Sequence, residues 1–293
     1  MAFERLGIIG GSGLGAVLGD LGRGATHELD TPFGKPAGPI VTAELDGVPV
    51  ALLSRHGPGH RFSPSNVPFR ANVHALKQLG VTHVLASTAV GSLREEIRPG
   101  DLVVPDQIID KTFRRPGTFF DDFAVHVELA APLCATVRAA LLRAAEGGEP
   151  TVHGSGTYVC MEGPQFSTRA ESDLHRSWGA HLIGMTAMPE AKLAREAELC
   201  YALVSLPTDY DCWRPPPAQL DQMQLLKEIL ANFKAATERA LSLIRKAVPL
   251  VAAAGARPCS CQSALEHAVW TDPSAIPPSA RDRYRLLLGK RLA

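Results

Sequence analysis

Val81-Thr82-His83-Val84-Leu85-Ala86-Ser87-Thr88-Ala89-Val90-Gly91-Ser92 is the stretch that decides the fold. Val81 to Ser87 has the aliphatic content of a buried strand, and Thr88 to Ser92, small and hydroxyl-bearing, follows as a predicted loop. That order belongs to the carboxyl edge of an α/β sheet, where ligands bind. Just upstream, Pro68 to Leu79 predicts a helix. Proline sits in its first turn, Phe69, Val73, Leu76 and Leu79 form one stripe, and Gly80 ends it.

Outward from this unit the alternation continues. Arg5 to Ile9 reads as a strand, and Ile40 to Leu45 with Val48 to Leu53 as a hairpin, because Asp46-Gly47 supplies positive φ. Further strands are predicted over Leu102 to Ile109, Val152 to Cys160, Leu182 to Thr186 and Tyr201 to Leu206. Helices are predicted over Ala130 to Ala145, from the capping box Thr168-Arg169-Ala170-Glu171 toward Trp178, from Pro189, and over Leu220 to Val248. The pattern is that of an α/β protein, and 293 residues allow one large domain or two small ones. From Ala252 the chain reads as irregular with a terminal helix at Arg281 to Leu288, so residues 251–293 form a C-terminal extension.

Lys plus Arg and Asp plus Glu are 30 each in 293 residues, so no net charge draws the chain to nucleic acid or to an acidic membrane. No run approaches the ~18 apolar residues of a membrane span, and the N-terminus lacks a signal-peptide layout. A cytoplasmic protein is expected. Its six cysteines, Cys134, Cys160, Cys200, Cys212, Cys259 and Cys261, are then expected as reduced thiols and not as a disulfide scaffold.

Gly7-Ile8-Ile9-Gly10-Gly11-Ser12-Gly13-Leu14-Gly15-Ala16 satisfies Gly-x-Gly-x-x-Ala from Gly11. A dinucleotide site also needs an acidic residue at the end of the second strand. Asp30, the nearest candidate, sits in the Pro/Gly loop Asp30-Thr31-Pro32-Phe33-Gly34-Lys35-Pro36, so an NAD-binding oxidoreductase is disfavoured. His56 and His60 have the i, i+4 spacing of zinc ligands, but Gly57-Pro58-Gly59 forbids the helix that geometry needs. What remains is an anion site: backbone N–H groups, hydroxyls and Arg55 gathered at strand ends suit a phosphate. Thr208-Asp209-Tyr210-Asp211-Cys212-Trp213 adds two carboxylates at i, i+2, a pair whose pKa values neighbours drive apart.

These residues resemble the trimeric purine nucleoside phosphorylase family, in its branch that takes 5′-methylthioadenosine. The resemblance rests on Gly10 to Gly13, Asp30 to Pro36, Ala71-Asn72, Thr88 to Glu96, Pro99-Gly100-Asp101, Glu162 to Ser167, Arg169-Ala170-Glu171, Met185-Thr186, Pro189-Glu190 and Thr208 to Trp213, spread from about Gly7 to Leu243. It implies the single-domain nucleoside phosphorylase fold over residues 1–250, a mixed central sheet flanked by helices, with a homotrimer, a dimer of trimers left open, and phosphorolysis without metal or organic cofactor, orthophosphate being a co-substrate. By similarity, Ser12, Arg55, His56, Thr88, Ala89 and Thr186 hold phosphate. Asp209 is the general acid at purine N7, with Asp211 at the 6-amino group. Phe166, Ser167 and Met185 bind the nucleoside, and Leu225, Leu226 and a neighbouring subunit's His126 enclose its 5′ group. Asp209 and Ser167 point to adenine, since relatives acting on 6-oxopurines carry Asn and Glu there. Gln222 stands at a usually apolar position, which leaves a broader adenosine or 5′-deoxyadenosine phosphorylase as the alternative. Gly184 replaces an Asn common in the animal enzymes. Some relatives also form disulfides with a C-terminal Cys-x-Cys and with cysteines at the positions of Cys134 and Cys200.

Overall fold

A computed structural model describes residues 3–11, 24–148, 151–215 and 222–292. Its centre is β5 (His83–Ser92), flanked by parallel β1 (Leu6–Gly10) on one side and parallel β11 (Cys200–Asp209) on the other. Beyond β1 lie β4 (Val48–Ser54), β3 (Ile40–Leu45) and β2 (Ala25–His27). The far end of β5 turns to antiparallel β10 (Leu182–Gly184), followed by β9 (Thr157–Met161) and β7 (Gln107–Lys111). Two short strands, β6 (Leu102–Val103) and β8 (Val152–His153), pair alongside β11. The sheet is therefore mixed.

Two predicted elements change character for a physical reason. Thr88 to Ser92 is strand and not loop, because β11 accompanies β5 as far as Gly91 while β10 takes up Gly91 and Ser92. Each predicted strand at Leu102 to Ile109 and Val152 to Cys160 is two strands. Pro105 cannot donate to a ladder, and the second run is interrupted at Gly154 and Gly156. The Asp46-Gly47 hairpin is as expected, with φ of 51° and 77°.

The helices cover both faces. α1 (Phe69–Gln78) packs on one, α2 (Ala135–Ala145) and α5 (Gln222–Ala254) on the other, with α3 (Arg169–Ser177) and α4 (Ala187–Glu196) near β10. α2 begins five residues later than predicted, since Pro132 biases Ala131 away from helix. The capping box of α3 is present, Thr168 accepting from the Glu171 N–H while Glu171 accepts from the Thr168 N–H. The long helix α5 extends past Pro249 to Ala254.

Strand periodicity divides the core. Ile9, Tyr201 and Leu203 face one cluster, and Leu6, Ile8, Ala202 and Val204 the other. The tail folds back on both: Leu265, Tyr284, Leu287 and Leu288 enter the first cluster and Cys261 the second. α6 (Pro278–Arg283) and α7 (Arg285–Leu288) stand where one terminal helix was predicted, and Tyr284 donates its hydroxyl to Asp122 at 2.6 Å.

Candidate active site

At the carboxyl ends of β1, β4, β5, β10 and β11 lies a cavity of about 690 Å3. Gly11, Arg55, His56, Thr88, Ala89 and Thr186 line one end, and Asp209, Asp211, Phe166, Ser167 and Met185 also line the cavity. The sheet brings these together because each follows, or ends, a strand converging on β5.

The first end is built for an anion. Arg55, 1% exposed, follows β4 and is tied to β1 through its own N–H donating to the Gly10 carbonyl at 2.9 Å. Its Nε and Nη2 donate to the two carboxylate oxygens of Glu190 at 2.7 and 2.8 Å, and its Nη1 donates to the Ser87 carbonyl at 2.9 Å. Burial alone lowers an arginine's proton affinity, but Glu190 outweighs it and holds the guanidinium charged. A guanidinium carries five N–H donors, so two remain beyond these contacts. The Thr88 and Thr186 hydroxyls lie 3.0 Å apart.

His56 Nδ1 lies 2.8 Å from the Phe62 carbonyl, which can only accept, so the proton is on Nδ1 and a neutral ring presents Nε2 as an acceptor. Burial, then the nearby charge of Arg55, lowers the His56 pKa to about 4, against a raising hydrogen bond to Phe62. His60 stacks on it with ring centroids 4.1 Å apart, an arrangement unlike two ligands on one helix face.

Asp209 ends β11. Its Oδ2 accepts from the Thr208 hydroxyl at 2.7 Å and its Oδ1 from the Asp211 N–H at 2.8 Å. Burial raises its pKa, the Asp211 charge adds to that, and the two hydrogen bonds oppose it. Asp211 takes φ of 50°, a left-handed turn that aspartate tolerates, and its buried Oδ2 has no hydrogen-bond partner among the described residues. Gly91 makes room for the pair: a Cβ there would lie 3.2 Å from Asp211 Cβ and 3.3 Å from Asp209 Oδ1. Trp213, whose indole N–H donates to the Ser92 carbonyl at 2.8 Å, pins the turn to β5.

An apolar wall comes from α5, through Leu230, Phe233, Leu241 and Ile244. Leu225 and Leu226 lie on the same helix, but their side chains are outside the described residues, as is Gln222's; Ser12 lies outside them altogether. His126 does not line the cavity of its own chain. It packs against Trp270, ring centroids 4.7 Å apart.

Sequence reasoning missed the residues that act through others. Glu190, in the first turn of α4, orients Arg55 and also accepts from the Tyr201 hydroxyl at 2.8 Å. Its signal was the Pro189-Glu190 motif, carried without a role. Gly184 has a local cause: a Cβ there would collide with the buried Tyr158 Oη.

A mixed α/β sheet whose strand ends join an anion-binding end to a buried carboxylate pair is the architecture of the nucleoside-cleaving phosphorylases. A family model described as "Phosphorylase superfamily" matches residues 5–249, and the chain belongs to that family. Among curated relatives, the S-methyl-5′-thioadenosine phosphorylase of Geobacter sulfurreducens is 48% identical over 288 residues, covering 98% of both chains. That of Gloeobacter violaceus is 46% identical, covering 98% of this chain and 95% of its own. Among solved structures, a methylthioadenosine phosphorylase from an antarctic soil metagenomic library superposes with a TM-score of 0.89 at 44% identity, covering 98% of this chain and all 100% of its own.

Proposed function

We propose that the chain cleaves 5′-methylthioadenosine with orthophosphate, yielding adenine and 5-methylthioribose 1-phosphate. The observation that carries this reading is a single cavity with Arg55 at one end and the Asp209–Asp211 pair in its wall. Orthophosphate sits against the two spare Arg55 N–H groups, His56, the Thr88 and Thr186 hydroxyls, the Ala89 N–H and Ser12. A phosphate oxygen bonds to C1′ of the ribose as the C1′–N9 bond breaks, and its electron pair leaves with adenine. Asp209, whose proton affinity burial raises, acts in its protonated form and gives that proton to N7, and the unpartnered Asp211 Oδ2 accepts from the 6-amino group. Phe166, Ser167 and Met185 enclose base and ribose, so that charge interactions act in a water-poor site. Leu225 and Leu226 take the methylthio group, beside His126 of a neighbouring subunit.

The assembly is a homotrimer. Phe166 and Trp270 are 85% and 72% exposed on the single chain, apolar surface of the kind a neighbour covers. Two trimers pairing face to face would place six sites in one particle. The reaction uses no metal or organic cofactor, and neither nucleic acid nor membrane is a partner. No helix among the described residues is long and apolar enough to cross a membrane. The enzyme works in the cytoplasm, in methionine and purine salvage.

The test is phosphate-dependent release of the base from methylthioadenosine, 5′-deoxyadenosine, adenosine and methylthioinosine. Methylthioadenosine turns over fastest. An unpaired buried polar group costs about 1–3 kcal/mol, so methylthioinosine falls roughly 5- to 150-fold behind. Adenosine and deoxyadenosine rates equal to methylthioadenosine identify the broader phosphorylase, and equal rates for all four overturn the adenine reading.

A further inference from the structure

Four of the six cysteines converge at a point remote from the cavity. Cys134 is the residue before α2, Cys200 opens β11, and Cys259 and Cys261 flank Ser260 at the turn after α5. Their sulfurs all lie within 4.8 Å of one another, and Cys134 Sγ is 3.6 Å from Cys259 Sγ. All four are free thiols; Cys134, Cys200 and Cys261 are buried and Cys259 is half-buried. Nothing in the phosphorolysis above uses them.

From this cluster we infer a structural metal site: one Zn2+ bound by the thiolates of Cys134, Cys200, Cys259 and Cys261. Zinc bonds thiolate sulfur at about 2.3 Å in a tetrahedron, whose edges are then about 3.8 Å, close to the spacing present. A disulfide requires sulfurs at about 2.05 Å, and each bond would use only two of the four. Cysteines gathered like this in a cytoplasmic enzyme point to metal more than to a disulfide framework. The ligand set is closed, four sulfurs with no open position, so the metal is structural and not catalytic. This departs from the metal-free expectation drawn from the sequence, where the four residues are far apart.

The surroundings suit a buried centre of net negative charge. The amino end of α2, whose dipole favours negative charge, begins directly after Cys134. The Thr136 hydroxyl lies 4.0 Å from Cys259 Sγ. His83, the register partner of Cys200, is 1% exposed, and its Nε2 has no hydrogen-bond partner among the described residues. Metal ligands are ordinarily supported by such second contacts. The site joins three elements: the first residue of β11, which carries Asp209 at its other end, the start of α2, and the first turn of the tail. Zinc there clamps the C-terminal segment onto the catalytic strand.

The full chain is purified under reducing conditions and its metal content measured by elemental mass spectrometry, followed by exchange of the metal for Co2+. The expected result is one zinc per chain, and a sulfur-to-cobalt charge-transfer band with the intense visible absorption of a tetrahedral tetrathiolate. Cys259→Ser and the double variant Cys259→Ser/Cys261→Ser retain at least about tenfold less metal after dialysis. Cys212→Ser, outside the cluster, retains it all. Because the cobalt spectrum is read on the unaltered chain, a variant that fails to fold does not decide the outcome. A mass lowered by the loss of paired thiol hydrogens, with no metal bound, replaces the zinc site with disulfides and overturns the inference. Four freely alkylated thiols that take up neither zinc nor cobalt overturn it equally.

Discussion

Replacing Glu190 by Gln tests the anion-binding end most sharply. Glu190 and Arg55 are each 1% exposed and joined by two hydrogen bonds of 2.7 and 2.8 Å, and Tyr201 donates a third to Glu190. Glutamine keeps one acceptor oxygen but turns an NH2 group toward a guanidinium that can only donate. Arg55 stays charged, and beyond that one oxygen its side chain keeps only the Ser87 carbonyl as an acceptor among the described residues. Removing one partner of a buried ion pair costs about 3–5 kcal/mol, of a total stability of about 5–15 kcal/mol. At roughly 2–4 °C per kcal/mol, Tm falls by about 6–20 °C. Orthophosphate should then restore much of the loss, because a bound dianion supplies the missing negative charge. A ligand at 100 times its Kd stabilises by about 2.7 kcal/mol in the ordinary case, and the variant should gain more than the parent at equal saturation.

The assay is thermal unfolding of parent and variant across a phosphate titration, with turnover at saturating phosphate measured in parallel. Turnover should drop, since the guanidinium no longer has the carboxylate that fixes its plane. A second variant, Arg55→Met/Glu190→Leu, separates stability from function. Replacing both charges with apolar groups of similar volume should cost little stability or raise it, while abolishing phosphate binding. If Glu190→Gln unfolds at the parent's temperature and gains no extra stabilisation from phosphate, the pair does not hold Arg55 for an anion and the reasoning fails.

Asp209→Asn should lower turnover about 100- to 10,000-fold, the usual contribution of a general acid, while phosphate still binds; an N7-methylated nucleoside, whose base leaves without protonation, should lose little. Phosphate binding near neutral pH should take up a proton, since His56 is neutral there with Nε2 accepting; calorimetry in buffers of different ionisation enthalpy reads this, and His56→Gln should abolish it. Burial pushes Glu196 up to about 7 from 4.5, so its contribution to stability is full below pH 4.5 and is lost as pH rises through 7, about 3 kcal/mol in all. Glu196→Gln should flatten that slope in denaturant melts at a series of pH values, and an unchanged slope sinks the assignment. Gly184→Ala should destabilise by about 1–3 kcal/mol through collision with Tyr158, and the double variant Gly184→Ala/Tyr158→Leu should recover most of it.

Site residues that follow a strand directly were legible in the sequence, because an apolar run giving way to small polar residues marks a sheet edge wherever it occurs. Arg55-His56, Thr88-Ala89, Met185-Thr186 and Asp209 to Asp211 all have that signature, and the cavity gathers them. Where strand and loop were confused, at Thr88 to Ser92, the missing information was a neighbour: only pairing to β10 and β11 keeps those residues extended. Glu190 was hidden for another reason. It occupies a helix position that local pattern assigns to solvent or core, and its task exists only because α4 lies against Arg55, 135 residues away. Tyr158 and Gly184 make a similar case, since a glycine at a strand end reads as punctuation until the tyrosine ring beneath it is seen.

The cysteines carry the same point further. Cys259-Ser260-Cys261 is visible as a motif, but a two-cysteine motif is ambiguous among tail thiols, a disulfide and half a metal site. What resolves the choice is the fold itself, which sets Cys200 at the foot of β11 and Cys134 at the head of α2 beside that turn. β11 then connects two different chemistries along ten residues, sulfur at its start and, at its end, a carboxyl whose proton affinity burial raises. A ligand that fixes the start of β11 also limits the movement of Asp209 relative to β5, with which the strand pairs along its length. Chelation should therefore lower turnover as well as Tm, and it should do so without changing the order of preference among nucleosides, because no cluster residue lines the cavity.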